Sequence, residues 1–320
     1  MALTTTLGDS AGTAARVAAQ LEARSDVRGR LFKFVLAFGL ALTLAILVAL
    51  VIGVVTDGWS VLTTRFSSFL SSGLRSSAGE AGVRQGLQGT FWIAIMVTFL
   101  AFPVGIGAAI YMEEYAPKNR LSNFIDVNIR NLAGVPSVVY GILGLTIFVG
   151  LLKRTSSSSG GNTLLAGGLT LAVLVLPIVI ITSAEAIRAV PSSIREGAYG
   201  VGATKWETIR HHVLPYAAPG VLTGTLLSLS RAVGEAAPLI LVGAVTGRLG
   251  GSTGFFEVGQ FGERFTAMPI VIATWATRPQ EEFSVSNTAA AIVVLLVFVL
   301  ILNSAAILLR NRFERKRSGR

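Results

Sequence analysis

The sequence predicts an all-α membrane protein with six transmembrane helices, and three observations carry that prediction. Hydrophobic residues make up 52% of the 320-residue chain and charged residues only 14%, where soluble domains are usually about one quarter charged. Six apolar stretches reach the length of about 20 residues that a helix rising about 1.5 Å per residue needs to cross a hydrocarbon core about 30 Å thick. The basic residues lie mostly at the ends of these stretches rather than in one patch, so the net charge of +10 points to lipid headgroups and away from nucleic acid.

Taken in order, residues 1–30 are a polar N-terminal segment carrying Arg16, Arg24, Arg28 and Arg30. The first span, 31–55, exceeds the roughly 7 to 15 apolar residues of a signal peptide and is expected to be retained. The remaining spans are expected at 88–112, 131–152, 164–185, 217–246 and 288–309, within a transmembrane domain covering 31–310. The fifth is longer than one crossing and contains Pro238, so it is expected to be a helix followed by a differently directed piece. Segments 56–87 and 247–287 are polar and are expected to cap one face without forming domains. TSSSSGGN at 155–162 is a flexible connector, and 311–320 is a basic tail.

Lys and Arg set the orientation. With the N-terminus inside, the inside segments hold 17 and the outside segments 8, so both termini are expected in the cytoplasm of a multi-pass membrane protein. There is no cysteine, which excludes disulfides and thiolate metal sites. His211 and His212 are adjacent and point different ways on a helix, so no metal or other cofactor is expected in this chain.

The loop 186–216 contains EGAYGVGATKWETIRHHVLP. Ser193 with Glu196, and Thr204 with Glu207, each match the capping-box spacing that satisfies free N–H groups at a helix start. Between them Gly200 and Gly202 permit a tight turn. The prediction is two short helices joined by a glycine turn and closed by Leu214 and Pro215. Such a hairpin has little apolar surface to bury by itself, leaving Trp206 exposed. It is either a docking element for a partner or an interfacial helix with its aromatics at the headgroups.

Ionisable residues within spans are costly, about 2.5 to 3.5 kcal/mol at the bilayer centre on insertion scales. Arg130 and Glu185 lie at inner ends, where they can reach headgroups, and Glu185 can also meet Arg188. Arg231 and Glu235 lie well inside the fifth span, spaced to share a helix face. They are either a structural ion pair or part of a translocation path, and Arg offers a planar fork of donors suited to an oxyanion.

The loop resembles the cytoplasmic motif of ATP-binding-cassette importer permeases, written E-A-A, three residues, G, nine residues, I, one residue, L-P. Glu196, Gly197, Ala198, Gly202, Leu214 and Pro215 match it in spacing, with Gly197 and His212 departing in identity. The resemblance implies the type I importer permease fold and a coupling helix, residues 192–210 with Thr204 and Trp206, docked on an ATPase subunit. FPVGIGAAIYMEEYAP (102–117), LAGVPSVVYGILGL (132–145) and SRAVGEAAPLILVGA (230–244) are together similar to PstA-type permeases of bacterial phosphate importers. That similarity implies import of inorganic phosphate past Arg231 and Glu235, beside a homologous PstC-like permease. It also implies two cytoplasmic ATPase subunits, with ATP and Mg on those partners, and an external phosphate-binding protein. No G-x-x-x-x-G-K-[ST] occurs, so this chain is expected not to hydrolyse ATP. A permease for another oxyanion (phosphonate, sulfate or molybdate) and a gradient-driven secondary transporter are the alternatives.

Overall fold

The computed structural model describes residues 27–154, 160–245 and 261–318, with side chains omitted at 309 and 313–318. The expectations for residues 1–26, for TSSSS at 155–159 and for the Gly-rich run at 246–260 lie outside the described residues. Among those described there are helices and no strands. The chain divides into two units, 1–53 and 54–320.

In the first unit, residues 27–53 form most of helix α1 (Val27–Thr64). Phe34, Val35, Leu36 and Leu44 are exposed around its whole circumference, as suits a helix whose solvent is lipid.

In the second unit, α2 (Phe66–Ser71) follows the end of α1, and α3 (Arg84–Tyr115) is the second long apolar helix. A helix α4 (Arg120–Ala133) and a helix α5 (Ser137–Leu152) come next, then α6 (Leu164–Arg188). The hairpin consists of α7 (Ser192–Gly200) and the start of α8 (Lys205–Gly234). Short helices α9 (Ala237–Leu241) and α10 (Met268–Ala276) lead through a π-helical turn, Glu282–Asn287, into α11 (Thr288–Ser318). Among the described residues five helices are long and apolar enough to cross a membrane, and α4 with α5 make a sixth if that bent pair is one span.

The core centres on α6, which packs chiefly on α3 and α8. Small residues let the backbones approach. A Cβ added at Gly224 would collide with Thr182 Oγ1, and one at Gly220 would lie 2.8 Å from the Ala186 Cβ, so these two glycines seat α8 on α6. Thr182 itself bonds its own helix, donating to the Ile178 carbonyl at 2.9 Å.

One predicted span is redrawn, and the break expected in another is present. The third does not begin at 131: α4 and α5 meet at 103°, because Pro136 cannot continue a helix and disfavours helical backbone at Val135. Tyr140 fixes the corner by donating its hydroxyl to the Leu132 carbonyl at 2.8 Å. The fifth ends at Gly234, four residues before Pro238. Glu235 then stands in extended backbone, and Pro238, which has no N–H to give the Gly234 carbonyl, sits in the first turn of α9.

The polar caps are more than polar. Phe69, Val83, Met268, Val271, Trp275 and Phe283 form a buried cluster with Val61 and Ala290. Arg65 donates to the carbonyls of Gly79 (2.8 Å) and Ala81 (3.0 Å) and to the Asn287 side chain, tying the two caps together. Burial pulls the Arg65 guanidinium below its ordinary range, and Glu282 offsets that.

Candidate functional site

The hairpin is the first candidate site. Helix α7 starts after Pro191 with no side-chain cap. The predicted Ser193–Glu196 box therefore does not form, because Pro191 takes the N-cap position and Ser193 already lies inside the helix. The second box does form. Thr204 Oγ1 accepts from the Glu207 N–H at 3.3 Å, and Glu207 accepts from the Thr204 N–H at 2.8 Å. The Thr204 N–H and then its hydroxyl, both donating to Glu207, hold that carboxyl below the usual carboxylate range.

Of the two predicted turn glycines, Gly202 makes the turn, at φ +86. The Ala203 N–H reaches the Ala198 carbonyl (3.1 Å) and the Gly202 N–H the Tyr199 carbonyl (3.0 Å), a Schellman closure that needs a left-handed residue at this point. Leu214 and Pro215 do not close the hairpin, because α8 runs through them unbroken. A π-helical turn at Ile209–Val213 widens the helix just before Pro215, which makes room for a residue without an N–H.

Ala198, Ile209 and Val213 are buried, whereas Trp206 (54%), Tyr199 (45%) and Val201 (85%) are exposed. The predicted exposed Trp206 is thus present, with two neighbours. Glu196, Gly197, Thr204 and Pro215 are exposed as well, and Leu214 is half-buried.

What positions the hairpin was not found from sequence. Arg195 of α7 reaches Glu114 at 2.8 Å, the Ile187 carbonyl at 3.0 Å and the Val190 carbonyl at 2.7 Å. One guanidinium thus pairs a carboxylate from the end of α3 and caps the last turn of α6. Arg188 pairs with Glu113 rather than with Glu185, and Glu185 faces Arg130 at 3.8 Å. Lys205 lies 4.8 Å from the centroid of the Tyr115 ring. The signal was in MEEY at 112–115, two carboxylates at the end of an apolar helix, each costly there unless paired.

Arg231 and Glu235 are the second candidate site. The ion pair is present, Nε to Oε1 at 3.4 Å, with the side chains 48% and 20% exposed. The two residues do not share a helix face, because Glu235 stands outside the helix in extended backbone (φ −79, ψ 122). Ser230 donates to the Asn303 side chain at 2.7 Å midway along α11, which ties this end of α8 to α11. A Cβ at Gly141 of α5 would lie 2.7 Å from the Pro238 Cα, so α9 crosses α5 in backbone contact just beyond the break. An arginine half open to its surroundings, with a carboxylate beside it and a helix stopped short, can take an anion by exchanging partners.

Among the described residues no group of three or more His, Asp or Glu side chains could hold a metal ion. A bundle of apolar helices, a hairpin exposing an aromatic patch at one end and a single charged pair at an interior helix break define the class: a multi-pass membrane transport component that works with other subunits. Residues 101–319 match the model of the binding-protein-dependent transport system inner membrane component, and the chain belongs to that family.

A probable permease of Bacillus subtilis, YqgI, is 32% identical over 79% of this chain and 85% of its own. PstA 1, a phosphate transport system permease of Mycobacterium tuberculosis, is 32% identical over 82% of each. Solved structures share the fold at lower identity. An importer of the acidic polysaccharide alginate aligns with TM-score 0.59 and 16% identity over 91% of this chain and 98% of that one. The inward-facing methionine transporter MetNI aligns with 0.56 and 15% over 72% and 95%. The predicted all-α fold of the type I importer permeases is therefore the fold observed.

Proposed function

We propose that this chain is a permease subunit of an ATP-driven importer of inorganic phosphate. The observation that carries the proposal is α8, which bears the coupling hairpin at its start and Arg231 with Glu235 at its end, so one continuous helix joins the motor contact to the anion contact. Relatives named as phosphate permeases, at 32% identity over most of the chain, support phosphate over other oxyanions.

Both termini and the hairpin lie in the cytoplasm. Trp206, Tyr199 and Val201 enter a groove of an ATPase subunit, and two such subunits bind and hydrolyse ATP with Mg. A homologous permease completes the path; the chain's similarity to PstC-type permeases, 34% over 55% of its length, makes a PstC-like partner the natural one. An external phosphate-binding protein docks at the capped end. ATP-driven closure of the ATPases displaces the hairpins, α8 transmits the movement, and the break at Glu235 lets Arg231 reach the passing anion.

Glu235 supplies selectivity on this reading. Phosphate near neutral pH carries a proton that sulfate lacks, so the carboxylate accepts a hydrogen bond from phosphate and repels sulfate. Uptake into vesicles by complexes carrying Glu235→Gln, with and without competing sulfate, tests this. Loss of discrimination is expected; unchanged uptake and unchanged discrimination would remove Glu235 from the path. Replacing Gly202 and Trp206 together should abolish co-purification of the ATPase, and its survival would overturn the coupling role.

A further inference from the structure

One surface is not accounted for by transport or coupling. On α4, Leu121, Phe124, Ile125 and Leu132 recur at helical spacing and form one apolar stripe. Leu121 and Phe124 are each 65% exposed, and α4 buries no residue at all. Asn128 falls within the stripe but turns its amide back on the helix, donating to the Phe124 carbonyl at 2.7 Å. The opposite face carries Asn123, Asp126 and Arg130. Arg130 pairs with Asp126 at 3.0 Å and faces Glu185 of α6 at 3.8 Å, so the polar face turns toward the bundle and the stripe faces away from it.

The placement of α4 adds a second observation. It begins five residues after α3 ends and leads into α5 at 103°. With α3 and α5 running into the bilayer, α4 lies close to the membrane plane, at the end where α3 meets the hairpin through Glu114 and Arg195. Lys118 and Arg120, both exposed, stand at its start. Cations are unfavourable beside the positive end of a helix dipole, and anionic phosphates nearby would reverse that. One apolar face, a polar face and basic residues at the margin are the marks of a helix that lies in a lipid interface rather than across it.

We propose that α4 is an in-plane interfacial helix, its Leu121–Phe124–Ile125–Leu132 stripe seated in the acyl boundary and Lys118 with Arg120 on anionic headgroups. It would float the corner between α3 and α5 at a fixed depth beside the coupling hairpin.

The chain has no cysteine, so single cysteines can be placed and labelled with a fluorophore in the full-length chain, purified with its co-purifying subunits. Vesicles of equal phosphatidylcholine and phosphatidylglycerol would carry a nitroxide high on the acyl chain of one lipid or the other. Labels at 121, 124 and 125 should be quenched severalfold more by lipid-borne nitroxide than a label at 123, which should instead answer to aqueous iodide. Labelled phosphatidylglycerol should quench position 121 more than labelled phosphatidylcholine, and Lys118→Gln with Arg120→Gln should equalise the two. Stripe positions shielded from both lipid and iodide would mean that a second protein chain covers α4, and stripe positions open only to iodide would mean that nothing does. Either result overturns the proposal, and equal quenching by the two lipids in the native sequence overturns the headgroup assignment. None of these outcomes depends on which anion is carried.

Discussion

The two ends of α8 are built differently. At its start, helix geometry is held by the Thr204–Glu207 box and by polar contacts that cross between elements, Arg195 with Glu114 and two carbonyls and Lys205 over Tyr115. At its end the helix stops on an extended Glu235 whose ion partner is only four residues away, at 3.4 Å. The intervening 30 residues of Lys205–Gly234 span about 45 Å at about 1.5 Å per residue. A lever needs one end clamped and the other free to act, and the ion pairs are distributed in that way. Charge serves position at the hairpin and, on the proposed function, anion contact at the break.

The sharpest way to break that contrast is at the clamp. The Glu114 side chain is only 6% exposed and the Arg195 side chain 23%, so Glu114→Ala would leave a largely buried guanidinium without its counter-charge. Removing one partner of such a pair costs about 3 kcal/mol. We expect a large fall in thermal stability of the purified chain and loss of the co-purifying ATPase, with Glu114→Asp partly restoring both.

The free end has its own anchor, and it is apolar. Gly141→Ala would drive a Cβ to 2.7 Å from the Pro238 Cα and 2.8 Å from Leu241 Cδ1, and neither backbone can retreat without moving α9. Overpacking of this kind costs about 2 kcal/mol. Reduced uptake with the ATPase still bound is the expected result, read by vesicle transport beside co-purification. An equal loss of both would mean that the two ends are not separable.

Gly202→Ala probes the hairpin turn alone. A Cβ there meets nothing within 4 Å, so the whole effect is the backbone cost of φ +86 for a residue with a side chain, about 1 kcal/mol. Partner affinity should fall about 5-fold, by the same conversion of free energy to equilibrium, while the melting of the isolated chain changes little.

The same contrast explains what could be read from sequence. The hairpin was legible because its signals are local: a capping box spans four residues and Gly202 sits where a turn needs it. Arg195 with Glu114 was not, since the partners are 81 positions apart and no spacing rule links them. The bend at Gly134–Pro136 was hidden by the apolar run that follows it, and the signal that would have found α4, the one-sided pattern of 120–133, was not used. Met268–Ala276 was taken for polar cap because a nine-residue apolar run cannot cross a membrane. Only its tertiary neighbours, Phe69 and Phe283 around Trp275, reveal it as core. The break near Pro238 was located to within a turn, since proline acts on the carbonyl four residues back.

The smallest structural effect is expected where the functional effect is largest. Arg231 is 48% exposed and its pair with Glu235 is long at 3.4 Å, and partly exposed pairs of this kind contribute about 0 to 1 kcal/mol. Arg231→Ala should therefore leave the melting temperature and ATPase binding nearly unchanged. Anion contact is another matter, because a charge-assisted hydrogen bond from a guanidinium to an oxyanion is worth about 1.5 to 3 kcal/mol, which is at least about 10-fold in uptake. Arg231→Lys separates charge from geometry: an ammonium keeps the charge but loses the planar fork, so uptake should recover only in part. A destabilised Arg231→Ala chain would make the pair a structural brace, and full uptake by Arg231→Ala would place the path elsewhere in the bundle.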